Sequence, residues 1–483
     1  MRVRRPPAIA IAALLVVITT GGGYFISEPG SAPRRGVPPQ SAIEPEGAQA
    51  FAARAVRPGA ATSAAGAATE ASNAATTPIA RPGAASLFLD HRAVDPYALD
   101  RNGNAPRRAL TADELRRIAD EYDLVEDDLR GQPDGVALEA AEMDEMRRIN
   151  PRLKIVRSLW TLSSNDVPLA GIEPGDNNHE SWFLRDAAGD YVRASDGGAT
   201  WNGRVNYALD PANVNVRLAL GSQVRLFRRM GYDGALLDDV LPYVAAPGTP
   251  HARTVLQAHP INAATGAPYT DEEWRGDVLA LLAKVREIAG PDTFLAIDGM
   301  TGSDYLSARG DTMAEAADAV VLRSFAASRI GPIPAARWLD DVNAAEEIAM
   351  SGKAVVMYAP GAAAEAPERQ ERIDRYAFAT YLLAREGGAA YYGQAAPESV
   401  APGGYALQPS YRMAALGSPT GRRHESGGLH VRLYECGVVI VNADDTSHQV
   451  ELPGRYHTPD GVAVAGRVTV AAHHAVILVG DGL

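Results

Sequence analysis

Asp233-Gly234-Ala235-Leu236-Leu237-Asp238-Asp239-Val240 is the stretch on which the fold turns. An amphipathic segment over roughly 214–230 runs into it and stops at Gly231, the residue type that most readily ends a helix in a left-handed conformation. A short apolar strand follows and delivers two adjacent carboxylates at its C-terminal end. In a parallel barrel that end opens into the mouth built by the loops, where chemistry sits. Burying a carboxylate is costly unless it is paired or used. Two uses stay open: capping the next segment or pairing with nearby arginines, and reactive chemistry.

Working outward, the same alternation of short apolar runs with helical spacing recurs along the chain. Strands are predicted at Ser86–Leu89, Asp123–Glu126, Leu153–Trp160, Gly234–Asp238, Thr293–Ile297, Ala319–Arg323, Ala354–Tyr358 and Ala389–Gly393. Between them apolar residues recur at three- and four-residue spacing. Thr111-Ala112-Asp113-Glu114 and Thr270-Asp271-Glu272-Glu273 carry the capping-box pattern, in which side chain and backbone bond each other reciprocally. Gly290 stands at the expected end of the second helix, and further helices fall near 138–149, 335–350 and 368–386. Eight strands alternating with helices predict an α/β fold of the (β/α)8 TIM-barrel type over residues 85–404. A doubly wound open sheet is the runner-up, but no glycine-rich phosphate loop follows the first strand.

Two long excursions, 161–213 after strand 3 and 241–270 after strand 4, leave from strand C-terminal ends and so sit over the mouth. Long loops there are usually functional. Beyond about residue 405 the helical pattern stops. Short β-like runs at Leu429–Leu433, Gly437–Asn442, His448–Leu452, Val462–Val464, Val468–Ala471 and Ala475–Val479 predict a small C-terminal antiparallel β-sandwich over 405–483. Asn442-Ala443-Asp444-Asp445 reads as a hairpin turn.

The N-terminus has a different character. Met1-Arg2-Val3-Arg4-Arg5-Pro6-Pro7 precedes an apolar run from Ala8 to about Ile26, the order of an export signal. Residues 1–27 read as a cleaved signal peptide or a membrane anchor, and the arginines ahead of the run predict that the remainder lies outside the cytoplasm. Residues 28–84 are rich in Ala, Pro, Gly, Ser and Thr, and cannot bury enough apolar surface to offset their ordering entropy. They read as a disordered linker. In the 483-residue chain a net charge of −13 argues against a nucleic-acid surface. A single cysteine, Cys436, rules out an intramolecular disulfide and a cysteine-rich metal site. The ten histidines show no His-x-His or His-Glu-x-x-His spacing, so neither a metal nor another cofactor is expected. No segment signals a particular oligomeric state.

The strand ends gather the candidate site residues. Strand 1 offers Asp90, strand 4 Asp238 and Asp239, strand 5 Asp298, strand 6 Arg323, strand 7 Tyr358 and strand 8 Tyr392. The excursion after strand 3 adds Trp160, His179, Trp182 and Asp210. Glycoside hydrolysis needs two carboxyl groups, one to protonate the leaving oxygen and one to attack or activate water. Aromatic faces suit sugar C–H surfaces, and polar side chains suit hydroxyls. Asp238 and Asp298 are the expected pair, because consecutive strands aim both across one mouth. Asp239 points away from Asp238 by strand alternation. Arg323 either holds a substrate carboxylate or forms a salt bridge within the barrel.

Three stretches carry a family resemblance: Arg147-Arg148-Ile149-Asn150-Pro151-Arg152-Leu153-Lys154-Ile155, Tyr207-Ala208-Leu209-Asp210-Pro211-Ala212-Asn213, and Gly231 through Val240. With the Gly437–Asn442 strand of the β-module, they make residues 85–480 resemble the hypothetical glycosyl hydrolase family 15 group. The resemblance implies a (β/α)8 barrel acting on a polysaccharide or oligosaccharide, with Asp238 as the leading catalytic carboxylate. Relatives of this general kind often place a glutamate at the end of strand 6 in a Glu-x-Phe pattern. Here that position reads Arg323-Ser324-Phe325, which leaves the general acid open. The expected function is therefore an exported glycoside hydrolase; the alternative is a non-catalytic carbohydrate-binding or cell-envelope scaffold protein on the same barrel.

Overall fold

The computed structural model describes residues 84–90, 110–128, 138–162, 179–196, 206–245, 254–328, 331–359, 367–386, 390–395 and 416–480. The N-terminal segment 1–27 and nearly all of the linker lie outside the described residues. Among the described residues no helix is long and apolar enough to cross a membrane.

Eight strands alternate with helices: β1 (Ala84–Asp90), β2 (Leu124–Asp128), β3 (Lys154–Trp160), β4 (Gly234–Asp238), β5 (Phe294–Asp298), β6 (Ala319–Arg323), β7 (Ala354–Ala359) and β8 (Ala390–Ala395). Each pairs in parallel with its neighbours, and β8 closes onto β1. The predicted (β/α)8 barrel is present, with strand limits within two residues of those expected. Its helices are α1 (Ala112–Glu121), α2 (Ala140–Ile149), α3 (Val214–Met230), α4 (Asp271–Ala289), α5 (Gly302–Ser307), α6 (Gly310–Glu315), α7 (Ala335–Met350) and α8 (Pro367–Ala384). Thr111 with Glu114 and Thr270 with Glu273 form reciprocal capping boxes at α1 and α4. Gly231 ends α3 at φ 104°, as the opening stretch required.

Strand alternation divides the barrel's apolar residues between two cores. Leu237, Ile297, Leu322 and Met357 face the helices, in one extended cluster. Val156, Leu236, Ala296, Val321 and Val356 fill the barrel interior. Gly234 is required where β4 meets β5: a Cβ there would stand 1.8 Å from the Phe294 carbonyl oxygen.

The two excursions are knitted to each other. Residues 194–196 pair antiparallel with 254–256, and the Leu209 amide reaches back to the Leu162 carbonyl at 3.0 Å. Phe183, Tyr191 and Tyr207 meet edge to face there, with centroids 5.9–6.1 Å apart. These contacts pair backbone groups of the described parts of the two excursions with one another.

The C-terminal strands are β9 (His424–Ser426), β10 (Leu429–Tyr434), β11 (Gly437–Asn442), β12 (His448–His457), β13 (Ala463–Val470) and β14 (His474–Gly480). They form a single sheet of order β9-β10-β11-β14-β12-β13. β12 touches β14 only through Tyr456 and His457, so the sheet folds over on itself. Leu429, Ile440, Leu452, Val470 and Leu478 fill the fold. Two details differ from expectation. The runs 462–464 and 468–471 belong to one strand, and β12 continues through Pro453-Gly454 by a register shift. The turn at Asn442–Asp445 is not a hairpin, because β11 and β12 do not pair. Instead the buried Asn442 carboxamide reaches the carbonyls of Thr446, Val470 and Ala471, holding a crossover between the sheet's halves.

Arg432 of β10 fastens this sheet to the barrel. Fully buried, it donates to the Leu383 carbonyl at 2.8 Å and to that of Arg385 at the end of α8, and pairs with Glu386 at 2.8 Å. A helix end needs partners for its last carbonyls, and a guanidinium also complements the negative pole there. Arg432→Ala should cost about 3–5 kcal/mol in denaturant unfolding, with little recovery in Arg432→Lys, whose point charge cannot replace a planar fork. A loss below about 1 kcal/mol would show that the sheet docks by apolar contact alone.

Candidate active site

Side-chain alternation builds the site directly on the interior core. Leu236 faces inward, so Asp238 does; Ala296 places Asp298, Val321 places Arg323, and Val356 places Tyr358. The apolar barrel interior therefore ends at its C-terminal edge in two carboxylates, a guanidinium and a phenol. Asp238 is 1% and Asp298 0% exposed.

Arg323 holds the group together. Its Nε and Nη2 both contact Asp298 Oδ2, and Nη2 lies 3.9 Å from Asp238 Oδ2. With an ordinary charged hydrogen-bond length for the first contact, the two carboxylate oxygens are no more than about 7 Å apart. Burial works against the arginine's charge, but the carboxylates of Asp298 and Asp238 outweigh it and hold its pKa well above the ordinary value. The Tyr358 ring lies 5.0 Å from the guanidinium carbon, within cation–π range.

The backbone turns complete the geometry. Asp298 Oδ1 accepts the Gly299 amide at 2.6 Å, and Asp238 Oδ1 accepts the Asp239 amide at 3.0 Å. Each carboxylate thus takes the amide that follows it, where the chain turns to φ 124° at Gly299 and φ 64° at Asp239. A Cβ on Gly299 would sit 3.2 Å from the Asp239 Cα, so the two turns stack closely. The Val240 amide bonds the Asp298 carbonyl at 2.8 Å. Ser324 and Ala326 after β6 are also left-handed, at φ 54° and 60°. Left-handed non-glycine residues cost free energy and concentrate at functional sites.

Other expected residues take varied places. Trp160, 6% exposed, ends β3 in register with Asp238. Asp239 is buried in the turn after β4. Asp90 ends β1 in register with Asp128. His179 and Trp182, both half-buried, meet edge to face at 4.6 Å in the excursion. Asp210 accepts the Ala212 amide at 2.9 Å and the Tyr269 hydroxyl at 3.2 Å; burial raises its pKa. Its bonds tie the excursion to the start of α4 and do not involve the Arg323 cluster. Tyr392 is a correction: it packs against Phe378 and Tyr381 of α8, with centroids 5.3 and 5.5 Å away, on the barrel's outer face. The alternation that sends Tyr392 outward turns Tyr391 inward, among the charges of Asp123 and Arg152 at the opposite end of the barrel.

Several buried carboxylates escaped sequence reasoning, Glu126 and Asp341 among them. Glu126, 3% exposed, shares the interior-facing parity of Leu124 on β2. Asp341, 0% exposed, falls between Trp338 and Val342 on the buried face of α7. The signals were present: strand alternation for the first, and three- and four-residue helical spacing for the second. Among the described residues no cluster of His, Cys, Asp and Glu could hold a metal ion.

A family model described as hypothetical glycosyl hydrolase family 15 matches residues 163–438, more than half of the chain. The chain belongs to this family, and membership places it among the glycoside hydrolases. Two of the three resembling stretches, 207–213 and 231–240, lie within the match. No curated protein matches the chain. Among solved structures it is similar to an α-amylase from Anoxybacillus, at 10% identity over 83% of this chain and 99% of that one, with TM-score 0.44. It is also similar to the glycoside hydrolase domain of PelA from Pseudomonas aeruginosa, at 15% identity over 66% and 96%, with TM-score 0.38. The type III pullulan hydrolase from Thermococcus kodakarensis is similar at 13% identity over 83% and 82%, with TM-score 0.42.

Removing the arginine should leave two close, buried carboxylates without their cation. Arg323→Met should therefore lower unfolding free energy at pH 7 by about 3–5 kcal/mol. Lowering the pH should shrink the deficit as those carboxylates protonate in the variant. A deficit that is absent at pH 7, or unchanged by pH, would mean Arg323 does not serve as their counter-charge.

Proposed function

We propose that this member of hypothetical glycosyl hydrolase family 15 cleaves O-glycosidic bonds of a polysaccharide or oligosaccharide, using Asp238 and Asp298 as its catalytic carboxylates. The observation that carries the reading is the Arg323-bridged carboxylate pair facing the barrel axis, its oxygens no more than about 7 Å apart. One carboxyl protonates the departing oxygen while the other attacks the anomeric carbon or activates water. That upper bound admits direct attack, which needs about 5–5.5 Å, and the short end of the inverting range, which begins near 6.5 Å.

Arg323 makes two close, buried carboxylates electrostatically tenable. Two carboxylates this close repel unless a cation stands beside them, and the guanidinium supplies it at the position where the resemblance implied a glutamate. Trp160, in register with Asp238, and Tyr358, beside the Arg323 guanidinium, are the candidates for contact with sugar C–H surfaces. His179, Trp182, Asp239 and Asp90 are candidates for hydroxyl or ring contacts further out. The basic start and apolar run of residues 1–27, followed by the Ala/Pro/Gly-rich segment 28–84, support action outside the cytoplasm, as a secreted protein or one tethered to a membrane.

The test is reducing-end release from a panel of bacterial and plant polysaccharides, comparing wild type with Asp238→Asn and Asp298→Asn. Both variants should keep the wild-type circular dichroism and lose about a thousandfold or more in kcat/KM. The anomer of the first product then separates retaining from inverting chemistry. Activity surviving in both variants would remove the pair from the mechanism. Binding of a polysaccharide without hydrolysis by the wild type would favour the scaffold protein instead.

A further inference from the structure

The barrel contains a buried carboxylate that the hydrolytic pair does not use. Asp341 lies on α7, the helix between β6 and β7, with its side chain wholly enclosed. Its Oδ1 accepts the amide of Gly302 at 2.9 Å. Gly302 opens α5, four residues after Asp298. The approach is close: a Cβ on Gly302 would lie 2.4 Å from the Asp341 Cα, so only glycine fits. The neighbouring Asp340 reinforces the grip by accepting the Ser303 hydroxyl at 2.7 Å.

The same Asp341 carboxylate faces the amide of Ala326, three residues after Arg323, closely enough for that amide to favour its charged form. That segment is strained. Ala326 has φ 60°, and the Ala327 amide bonds the Phe325 carbonyl at 2.7 Å, closing a three-residue turn of the unfavourable hand. Such a turn persists only where its surroundings over-determine it. One carboxylate thus bonds the turn leaving Asp298 and faces the turn leaving Arg323.

We infer that Asp341 is a positioning residue, which in its ionised form clamps the turns after β5 and β6 together and so fixes Asp298 against Arg323. The inference rests on the proposed hydrolytic role of Asp298 only for its effect on catalysis. Burial pushes the Asp341 carboxyl up to about 7, against the opposing pull of Arg337 and of the Gly302 and Ala326 amides, with Asp340 adding to the rise. The charged groups facing it are Arg337 and Asp340, both on α7; α5 and the β6 turn face it with backbone amides. Because the folded-state value lies above the usual aspartate value, the neutral form is favoured on folding. Stability from this group is greatest in acid and is lost as pH rises toward 7. The clamp, which needs the anion, follows the opposite course and tightens as pH passes through that region.

Hydrogen exchange tests the clamp without any substrate. In full-length protein, peptides covering 299–306 and 323–329 should exchange about tenfold or more faster in Asp341→Ala, the loss expected for a hydrogen bond to a charged acceptor. Peptides from β4 should be unchanged. Asp341→Asn preserves shape and one acceptor, and guards against a variant that fails to fold. In wild type, protection of the two segments, corrected for intrinsic exchange, should rise as pH passes through about 7, and Asp341→Asn should abolish that rise. Unchanged protection in Asp341→Ala, or a rise that survives in Asp341→Asn, would overturn the clamp.

On a hydrolysed substrate, Asp341→Asn should lower kcat about tenfold while KM stays within about threefold, and should erase the limb of the pH–rate profile near neutrality. Unaltered kcat and profile would overturn the catalytic part of the inference while leaving the hydrolase reading intact. A wild type that hydrolyses nothing would count against the hydrolase reading, and the exchange result alone would then decide the clamp.

Discussion

The contact of Arg323 with Asp298, and its longer reach to Asp238, is the constraint around which the site is arranged. Each carboxylate is forced inward by the strand that carries it, since the apolar residue two positions earlier must fill the barrel interior. Inward-facing and almost unexposed, the two negative charges are tenable only with a cation between them. The guanidinium satisfies that need from β6, and its own charge is stabilised in turn by both carboxylates and by the Tyr358 ring. The site is thus one electrostatic unit, and none of its members can be replaced without consequence for the others.

Backbone strain lies next to this unit. Asp239, Ser324 and Ala326 adopt left-handed conformations just beyond β4 and β6, and Gly299 turns the chain just beyond β5. The strain directs amides back onto the carboxylates and stacks one turn on the next. Rigid strands set the direction of the inward-facing charged side chains; strained turns, one of them tied to α7 through Asp341, set their distance.

Much of this was legible in the chain because it follows from short-range rules. Gly231 marks a helix end, the Thr111 and Thr270 boxes mark helix starts, and the run from Gly234 to Asp238 is a strand whose last residue faces the lumen. Tyr392 was misplaced because two adjacent tyrosines on one strand cannot both face inward, and composition does not say which does. The register settles it, and the register depends on β1 and β7. Asp210 carried the right chemistry, yet its partners, Tyr269 and the Ala212 amide, belong to an insertion whose pairing no local pattern specifies. Asp341 was missed for a different reason. An Asp-Asp pair on a helix reads as solvated surface until the spacing of Trp338, Val342 and Ala345 is used to count faces. What the chain concealed was the meeting of distant segments, above all the turns after β5 and β6 on one side chain of α7.

The most direct test of the account is the structure of the protein with a reaction product or an iminosugar bound at high resolution. The account predicts that the anomeric carbon, or the ring nitrogen that replaces it, lies between the carboxyl groups of Asp238 and Asp298, with Arg323 still contacting Asp298 and the Trp160 or Tyr358 ring against the sugar. A sugar seated on the C-terminal sheet or elsewhere on the surface, with the Asp238–Arg323–Asp298 group untouched beneath it, would contradict the account.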